Sequence, residues 1–257
     1  MPIMSDENSI DVNFFPKGNP NLFKYFDLLK FVSLIQKRAI FFCRLDKFED
    51  KLEGTLTNST LRSYEKWCEY LVSSGKIDGL SEDKKSRLIK EQVDAHNRHK
   101  SVTCIDCWNK GESESYALWK IYSGIDKGIM IKSNVERVMK AFENTTEKVH
   151  LSDVRYIDFN SDAMEIGNFN FPIRYKDKAY SYEEEVRLIH KVNYRGGFPY
   201  DWSNEKIESG KNITVDLDLL IEEIVLSPFA PEWFAEIIQD LLEKYGLRKD
   251  LKFSYLK

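Results

Sequence analysis

Short blocks of apolar residues recur along the chain, and the spacing within each block predicts one element. The N-terminal run LFKYF, then DLLKFVSLIQKR, then AIFFCRL predicts strand, helix and strand over residues 21–45. Strand composition returns at SVTCIDCW, GIMIKSN, VHLSDVRYIDF and the stretch ending EEEVRLIHKV. Between these blocks, SYALWKIYSG and VERVMKAF predict short helices.

Residues 55–100 have a different pattern, typical of two helices without a strand between them. The first helix carries an apolar stripe at three-to-four spacing, which predicts a face toward a core: Leu61, Tyr64, Trp67, Cys68 and Leu71. The second, SEDKKSRLIKEQVDAHNRHK, is heavily charged and is predicted to be exposed. We therefore interpret 55–100 as a helical insertion or cap.

The C-terminal part has the clearest boundaries. EEIVLSP predicts a strand, Pro231 a helix start, Gly246 a helix end and LKFSYL a last strand. One face of that helix is predicted from the spacing of Trp233, Ile237, Ile238, Leu241, Leu242 and Tyr245.

Strands scattered among helices, without strict βαβ alternation, predict the α+β class with a mixed, mainly antiparallel sheet, a split sheet being one version of it. The chain shows no internal repeat and no long Pro/Gly/Ser linker, so we predict one domain over residues 1–257, with residues 1–12 as a mobile tail.

Composition and charge argue against several classes of function for this chain. The 257 residues include 38 basic and 42 acidic ones, a net charge of −4, which gives no electrostatic reason to expect strong nucleic-acid or anionic-membrane binding. The start MPIMSDENSI does not resemble a signal peptide, and no apolar run is long enough to span a membrane. Four cysteines in a chain of this length favour reduced thiols over a disulfide framework, so we expect a cytoplasmic protein.

The strongest candidate for chemistry is SYEEEVRLI. On a strand, alternate side chains share a face, so Glu183, Glu185 and Arg187 are predicted to point one way. Carboxylates about 7 Å apart beside a guanidinium can bind hydroxyl groups and stabilise developing positive charge, and their proximity raises the pKa of one of them. The alternative is a solvated ladder of salt bridges.

Two further segments carry candidate binding residues. Ser113 or Ser115 is placed to cap the SYALWKIYSG helix, whose Trp119 and Tyr122 would either stack on a planar ring or fill the core. In KFEDKLEG, Asp50 and Glu53 are three apart and would either bind a ribose, a base or a cation, or cap and complete a turn.

A metal site is not expected. His96, His99, Cys104 and Cys107 are residue types that bind zinc, but Cys104 and Cys107 lie on a predicted strand, where residues three apart face opposite ways. The chain also lacks a Gly-rich phosphate loop, a dinucleotide fingerprint, G-x-S-x-G and H-E-x-x-H. This argues against ordinary nucleotide kinases, Rossmann dehydrogenases, serine hydrolases and zincins.

Taken in order, several segments resemble the bacterial family called domain of unknown function 2971. They are LFKYF, AIFFCRL with FEDKLEG, CW…ES…ALWKIYSG…GIMI, VRYID, KDKAYSYEEEVR and EEIVLSPFAPEWF, over roughly residues 20–245. The family often has Asn-Asp-Pro-Phe-Glu where this chain has residues 49–53, so only Asp50 and Glu53 carry over.

The E-x-E strand followed by EEIVLSP, a helix and a last strand is also similar to the second half of ADP-ribosyltransferase folds, including the DNA-modifying toxin type. That resemblance implies NAD as substrate, with Glu185 or Glu183 as the catalytic carboxylate beside Arg187. It implies Lys24 or Tyr25 at the first-strand position and Trp119 or Tyr122 as the stacking residue, with no metal needed. The chain has no clear Arg or His on the first strand and no convincing S-T-S.

The leading hypothesis is an NAD-using enzyme, an ADP-ribosyltransferase or NAD glycohydrolase, as a toxin or phage-defence effector. Its partners would be a small-molecule nucleotide and a nucleic-acid or protein acceptor, with no membrane. Two alternatives stay open: a non-catalytic sensor module that binds a nucleotide or another ligand, and a metal-dependent nuclease.

Overall fold

The computed structural model describes residues 14–76, 81–124, 126–165, 172–192 and 209–257. The predicted tail at residues 1–12 lies outside these ranges, as do residues 77–80 of the 55–100 segment. The described α-helices are α1 (Leu28–Lys37), α2 (Asn58–Ser73), α3 (Glu82–Val102), α4 (Tyr116–Tyr122), α5 (Val135–Ala141), α6 (Leu217–Leu220) and α7 (Glu232–Lys244).

The described strands form one large sheet and one small one. They are β1 (Asn21–Phe26), β2 (Ala39–Arg44), β3 (Thr103–Lys110), β4 (Ile129–Asn134), β5 (Val149–Asp153), β6 (Arg155–Ile157), β7 (Tyr175–Asp177), β8 (Glu185–Lys191), β9 (Gly210–Thr214), β10 (Glu223–Leu226) and β11 (Leu251–Phe253). In the large sheet the described pairs are antiparallel except β10–β11, and β6 and β7 form a separate parallel pair. The predicted α+β class with a mainly antiparallel sheet is confirmed.

The large sheet divides at β3. One edge of β3 pairs with β8 along its length, from Thr103↔Lys191 to Asn109↔Glu185. The other edge pairs with β1 only at Asn109 and Lys110, and with β2 only at Cys104 and Ile105. Strands β4, β10 and β11 extend from β1, β9 extends from β2, and β5 extends from β8. A gap between β1 and β2 therefore opens opposite the middle of β3.

Helix α1 connects the two strands that border this gap. It begins because the Asp27 side chain accepts from the Lys30 amide at 2.8 Å, and it ends because Arg38 takes the left-handed conformation at φ 48°. Its buried residues, Phe31, Leu34 and Ile35, join the main core together with Trp108 and Leu188. The main core thus lies on one face of β3 and β8.

The opposite face of the large sheet carries smaller apolar clusters. Ile105 and Ile189 pack with Leu45 and Ile173, while Phe23, Tyr25, Leu118, Trp119, Met130 and Val225 form a second group. The charged site described below lies on this face, beside Ile105 and Ile189 in the strand register.

Two predicted helix faces differ from the structure. In α2 the apolar stripe does not pack as a whole, because Cys68 is buried whereas Trp67 is 51% exposed. In α7 the buried residues are Phe234, Ile238 and Leu242, while Trp233 and Ile237 lie outside. Both errors arise because a three-to-four spacing fits two adjoining stripes, and tertiary packing selects one of them.

The remaining predicted elements differ mainly at their boundaries. The block VHLSDVRYIDF divides into β5 and β6, which belong to different sheets. The stretch over residues 173–192 was predicted as an approach segment and a long strand; the long strand is β8, and the segment before it contains the short strand β7 and a 3-10 helix. Gly246 follows α7 at φ 67°, as a C-terminal cap requires. None of the helices in the described part of the chain combines the length and apolar character that crossing a membrane requires.

Candidate functional site

Five buried charged side chains lie together on one face of β8 and are here called the charged cluster: Glu53, Lys176, Glu183, Glu185 and Arg187. Glu185 and Arg187 point to the same face because they are two apart on β8, opposite Asn109 and Cys107 of β3. Each of the five is at most 6% exposed. The predicted E-x-E-x-R residues therefore do not form a solvated ladder.

Arg187 is the inner cation of the cluster. Its Nε donates to Glu185 Oε1 at 2.8 Å, and its Nη2 donates to Glu185 Oε2 at 3.1 Å and also to Glu53 Oε2. Its Nη1 donates to the carbonyl of Ile173 at 2.8 Å. The planar guanidinium is thus fully buried, and all three of its nitrogen atoms donate hydrogen bonds.

Lys176 is the second cation and arrives from β7, outside the large sheet. Its Nζ lies 2.5 Å from Glu183 Oε2, 3.2 Å from Glu185 Oε2 and 3.3 Å from Glu53 Oε1. One ammonium group therefore contacts all three carboxylates.

Glu183 reaches the cluster by a turn and not by strand alternation. It ends a 3-10 helix, Lys178–Glu183, and the next residue, Glu184, has φ 45°. Two hydrogen bonds from β3 hold this turn: the Lys110 backbone amide donates to the Glu184 carbonyl at 2.9 Å, and the Asn109 side-chain Nδ2 donates to the Glu183 carbonyl at 2.8 Å. The prediction that Glu183 shares a strand face with Glu185 is wrong, because Glu183 precedes β8 and ends the 3-10 helix. The two carboxylates nevertheless lie close together, since Lys176 contacts both.

Tyrosines surround the cluster and are here called the tyrosine rim: Tyr122, Tyr156 and Tyr180. The Tyr122 hydroxyl donates to Glu183 Oε1 at 2.6 Å, and the Tyr156 hydroxyl accepts from the Glu185 amide at 2.8 Å. The Tyr180 ring centre lies 4.9 Å from Lys176 Nζ, within cation–π range. Because Tyr122 is 40% exposed, the Glu183 end of the cluster is next to solvent.

The two neighbouring glutamates differ in electrostatics. Burial raises the pKa of Glu183, against the opposing contacts from Lys176 and Tyr122. Burial also acts on Glu185, but the Arg187 guanidinium outweighs it and lowers the pKa of Glu185 to about 2. The pKa values of the two neighbouring carboxyls are thus shifted in opposite directions, which is the division that acid–base sites use.

The predicted first-strand residues lie on opposite faces of β1. Lys24 points away from the charged cluster, and its Nζ lies 2.6 Å from Asp106 and 2.8 Å from the Cys107 carbonyl, at the gap in the sheet. Tyr25 points to the cluster's face, where its hydroxyl accepts from the Ser115 amide at 2.8 Å. Of these two, only Tyr25 lies on the same face of the sheet as the charged cluster.

Helix α4 places its two predicted aromatic residues differently. Ser115 caps the helix, as its Oγ accepts from the Leu118 amide at 3.4 Å. Trp119 is buried, its indole donating to Glu114 at 2.6 Å and its ring packing edge-on against Tyr25 at 5.0 Å. Tyr122 is therefore the residue of this pair that is open to a ligand.

Asp50 and Glu53 also have different surroundings. Asp50 accepts from the Leu52 amide at 2.8 Å and so caps the turn, and its charge is the main cause of a raised pKa at Tyr180. Glu53, by contrast, is buried in the charged cluster. Sequence reasoning missed Lys176, Tyr156 and Tyr180, although Lys176 and Tyr180 lie in the KDKAYSYEEEVR stretch on which the family resemblance rests.

The histidines and cysteines do not assemble a zinc site. Cys104 lies opposite His190 in the main core, while Cys107 lies opposite Arg187 on the other face of β3. In the described ranges, no group of three or more His, Cys, Asp or Glu side chains is arranged to hold a metal ion.

No family model and no curated protein matches the chain, so the resemblance to domain of unknown function 2971 stays a prediction. Among solved structures there is a distant similarity. The chain resembles DarT from Thermus sp. 2.9, solved in complex with NAD+, with 10% identity over 93% of this chain and 96% of DarT, at a TM-score of 0.40. A likeness at this level supports no conclusion about chemistry.

Proposed function

We propose that the chain is an NAD-using enzyme that cleaves the bond between nicotinamide and ribose, and that Glu183 is the carboxylate that contacts the substrate. The observation that carries this proposal is a pair of buried glutamates, Glu183 and Glu185, which share the Lys176 ammonium at the edge of a tyrosine-rimmed site. NAD is the substrate to test because of the sequence resemblance to ADP-ribosyltransferases.

The proposed step is a substitution at C1′ of the nicotinamide ribose. The C1′–N bond breaks with both electrons leaving on nicotinamide, and positive charge develops on C1′ and the ring oxygen. A carboxylate near the sugar stabilises that charge, as in glycoside hydrolysis. Water or an acceptor group then bonds to C1′ and loses a proton, giving ADP-ribose or an ADP-ribosylated acceptor.

Each group has a defined part in this proposal. Glu183 would accept a hydrogen bond from a ribose hydroxyl, because it lies next to the exposed Tyr122. Glu185 would supply a permanent negative charge behind it, held by Arg187. The rings of Tyr122 and Tyr180 would contact a planar base or cation.

The test is release of nicotinamide from NAD by the purified chain, with and without nucleic-acid and protein acceptors. Glu183→Gln should lower the rate by roughly 100-fold or more, a usual scale for removing a charge-stabilising group. Glu184→Gln is the matched control, because Glu184 is exposed and lies outside the charged cluster. Absence of release under every condition, or equal release by Glu183→Gln and the wild type, would count against the proposal.

A further inference from the structure

Glu183 depends on one cation. Within the described residues, Arg187 forms its ion pairs with Glu53 and Glu185, and Lys176 forms the ion pair with Glu183. The Lys176 ammonium is also nearer to Glu183, at 2.5 Å, than to Glu185 or Glu53, at 3.2 and 3.3 Å.

Lys176 and Glu183 belong to one short segment of chain. Lys176 lies on β7, paired with Tyr156 of β6, and the 3-10 helix that follows β7 ends at Glu183. Arg187, by contrast, lies on β8 within the large sheet. The cation that faces Glu183 is therefore carried by the small parallel sheet, and it keeps its place through that sheet and the turn.

We infer that Lys176 is a positioning residue, which holds the Glu183 carboxylate toward the tyrosine rim and determines whether that carboxylate carries a proton. The inference rests on the proposed function for the part played by Glu183. The geometry behind it is a single ammonium group placed between the outer carboxylate and two inner carboxylates that already have Arg187.

Several other titratable groups face Glu183 from the surrounding elements. Tyr122 of α4 donates to it, and Glu185 of β8 shares Lys176 with it. The remaining groups act on it or its partners through charge: Glu53, Tyr156, Tyr180 and Arg187. The inner carboxylates of Glu53 and Glu185 disfavour a negative charge on Glu183, so loss of the nearest cation should move its proton equilibrium strongly.

The first experiment follows the Glu183 side chain by ¹³C NMR across pH, with its signal assigned from its loss in Glu183→Gln. In Lys176→Met, which keeps the length but removes the charge, the titration midpoint should rise by at least about one pH unit, a tenfold change in proton affinity. Lys176→Arg should return the midpoint toward the wild-type value. An unchanged midpoint in Lys176→Met would overturn the inference.

Lys178→Met is the matched control. Lys178 lies two residues along the same segment, but its side chain is 65% exposed and pairs with Asp158 at 2.6 Å. The midpoint of Glu183 should stay within a few tenths of a unit in this variant, because the lost charge is screened by solvent. An equal rise in both lysine variants would show a general loss of positive charge and would contradict the specific part given to Lys176.

A wild-type measurement covers the case in which Lys176→Met does not fold. The ¹⁵N signal of the Lys176 ammonium should shift with the same midpoint as the Glu183 carboxyl, because the two groups form one ion pair. Independent titration of the two signals would overturn the inference. Nicotinamide release separates this result from the proposed function, since coupled titration without any release would leave the inference standing and contradict only the NAD chemistry.

Discussion

Strand β3 has a buried ionic group on each face, and the two groups differ in charge balance. On the main-core face, Lys24 pairs with Asp106, which also accepts from the Trp108 indole at 2.7 Å. This group has one cation for one carboxylate. On the other face, the charged cluster has two cations, Lys176 and Arg187, for three carboxylates.

The difference separates a structural ion pair from a candidate site. Lys24 of β1 bonds to Asp106 and Cys107 of β3 beside the gap in the sheet, and the charges of Lys24 and Asp106 cancel. The charged cluster carries a formal excess of one negative charge when every group is ionised, and its Glu183 end meets the exposed Tyr122. An unbalanced buried group requires either a proton or a ligand charge, whereas a balanced one requires neither.

The largest expected effect concerns the inner cation of the charged cluster. Arg187→Met should lower the free energy of unfolding by roughly 3–5 kcal/mol, because it leaves Glu185 and Glu53 buried without their guanidinium. Urea unfolding at pH 7 measures the change. Lys252→Met is the control, because its ion pair with Glu223 is solvent-exposed and should contribute little to stability. A loss in Arg187→Met no larger than in this control would contradict the importance of the buried network.

The next largest effect is a difference between Glu185 and Glu183 in how their contributions to folding stability depend on pH. Glu185 has a pKa lowered to about 2, so its stabilisation is present above its unfolded pKa and is lost as pH falls from there toward 2. Glu185→Gln should therefore destabilise by about 3 kcal/mol near pH 7 and by progressively less on acidification.

The contribution of Glu183 to stability should depend on pH with the opposite sign. Because its pKa is raised on folding, its contribution is present below the unfolded pKa and is lost as pH rises through the folded value. Glu183→Gln should thus be most destabilising in acid and least so near pH 7. Urea unfolding of both variants between pH 3 and 7 measures this, and parallel pH profiles would refute the assignment.

A smaller effect is expected on the balanced face. Lys24→Met should cost roughly 2 kcal/mol at pH 7, since Asp106 loses its ion pair inside the core. Burial already raises the pKa of Asp106, so the cost should shrink as pH falls and that carboxyl takes up a proton. Adding Asp106→Asn should recover part of the loss. Additive costs for the two substitutions would show that they do not act as a pair.

The smallest effect concerns the turn that brings Glu183 to the cluster. Glu184 has φ 45°, and asparagine tolerates this conformation better than glutamate, so Glu184→Asn should stabilise the chain by about 0.5 kcal/mol. Arg38→Asn, at φ 48°, should gain less, because Arg38 also pairs with Asp218 at 2.8 Å. Thermal unfolding of both variants checks the order, and destabilisation by Glu184→Asn would contradict it.

The fold class and many of the elements were predictable from the sequence because their signals are local. The β1–α1–β2 unit and the α7 boundaries follow from apolar spacing, Asp27 and Gly246. The exposed Trp67 and Trp233 were not predictable, since the choice between adjoining helix stripes depends on what packs against the helix. Likewise, alternation assigns Lys24 and Tyr25 to opposite faces of β1 but does not identify which face holds the site.

Four of the five residues of the charged cluster were predictable singly, but their assembly was not. Glu53, Glu183, Glu185 and Arg187 were each recognised from charge patterns within a few positions of sequence. Lys176 was not, because it enters from a different sheet and its contacts depend on the turn at Glu184. Similarly, the gap at β3 depends on two strands that share one edge, a feature with no periodic signature.

The division of the large sheet at β3 also has a consequence for the order of folding. Strand β3 pairs with β1, β2 and β8, and the side chains that meet on it come from distant positions, with Arg187 and Glu53 lying 134 residues apart. Such long loops must close before these contacts form, which slows folding. During synthesis Glu53 must therefore stay hydrated until β8 has left the ribosome, because its partner Arg187 lies on that strand.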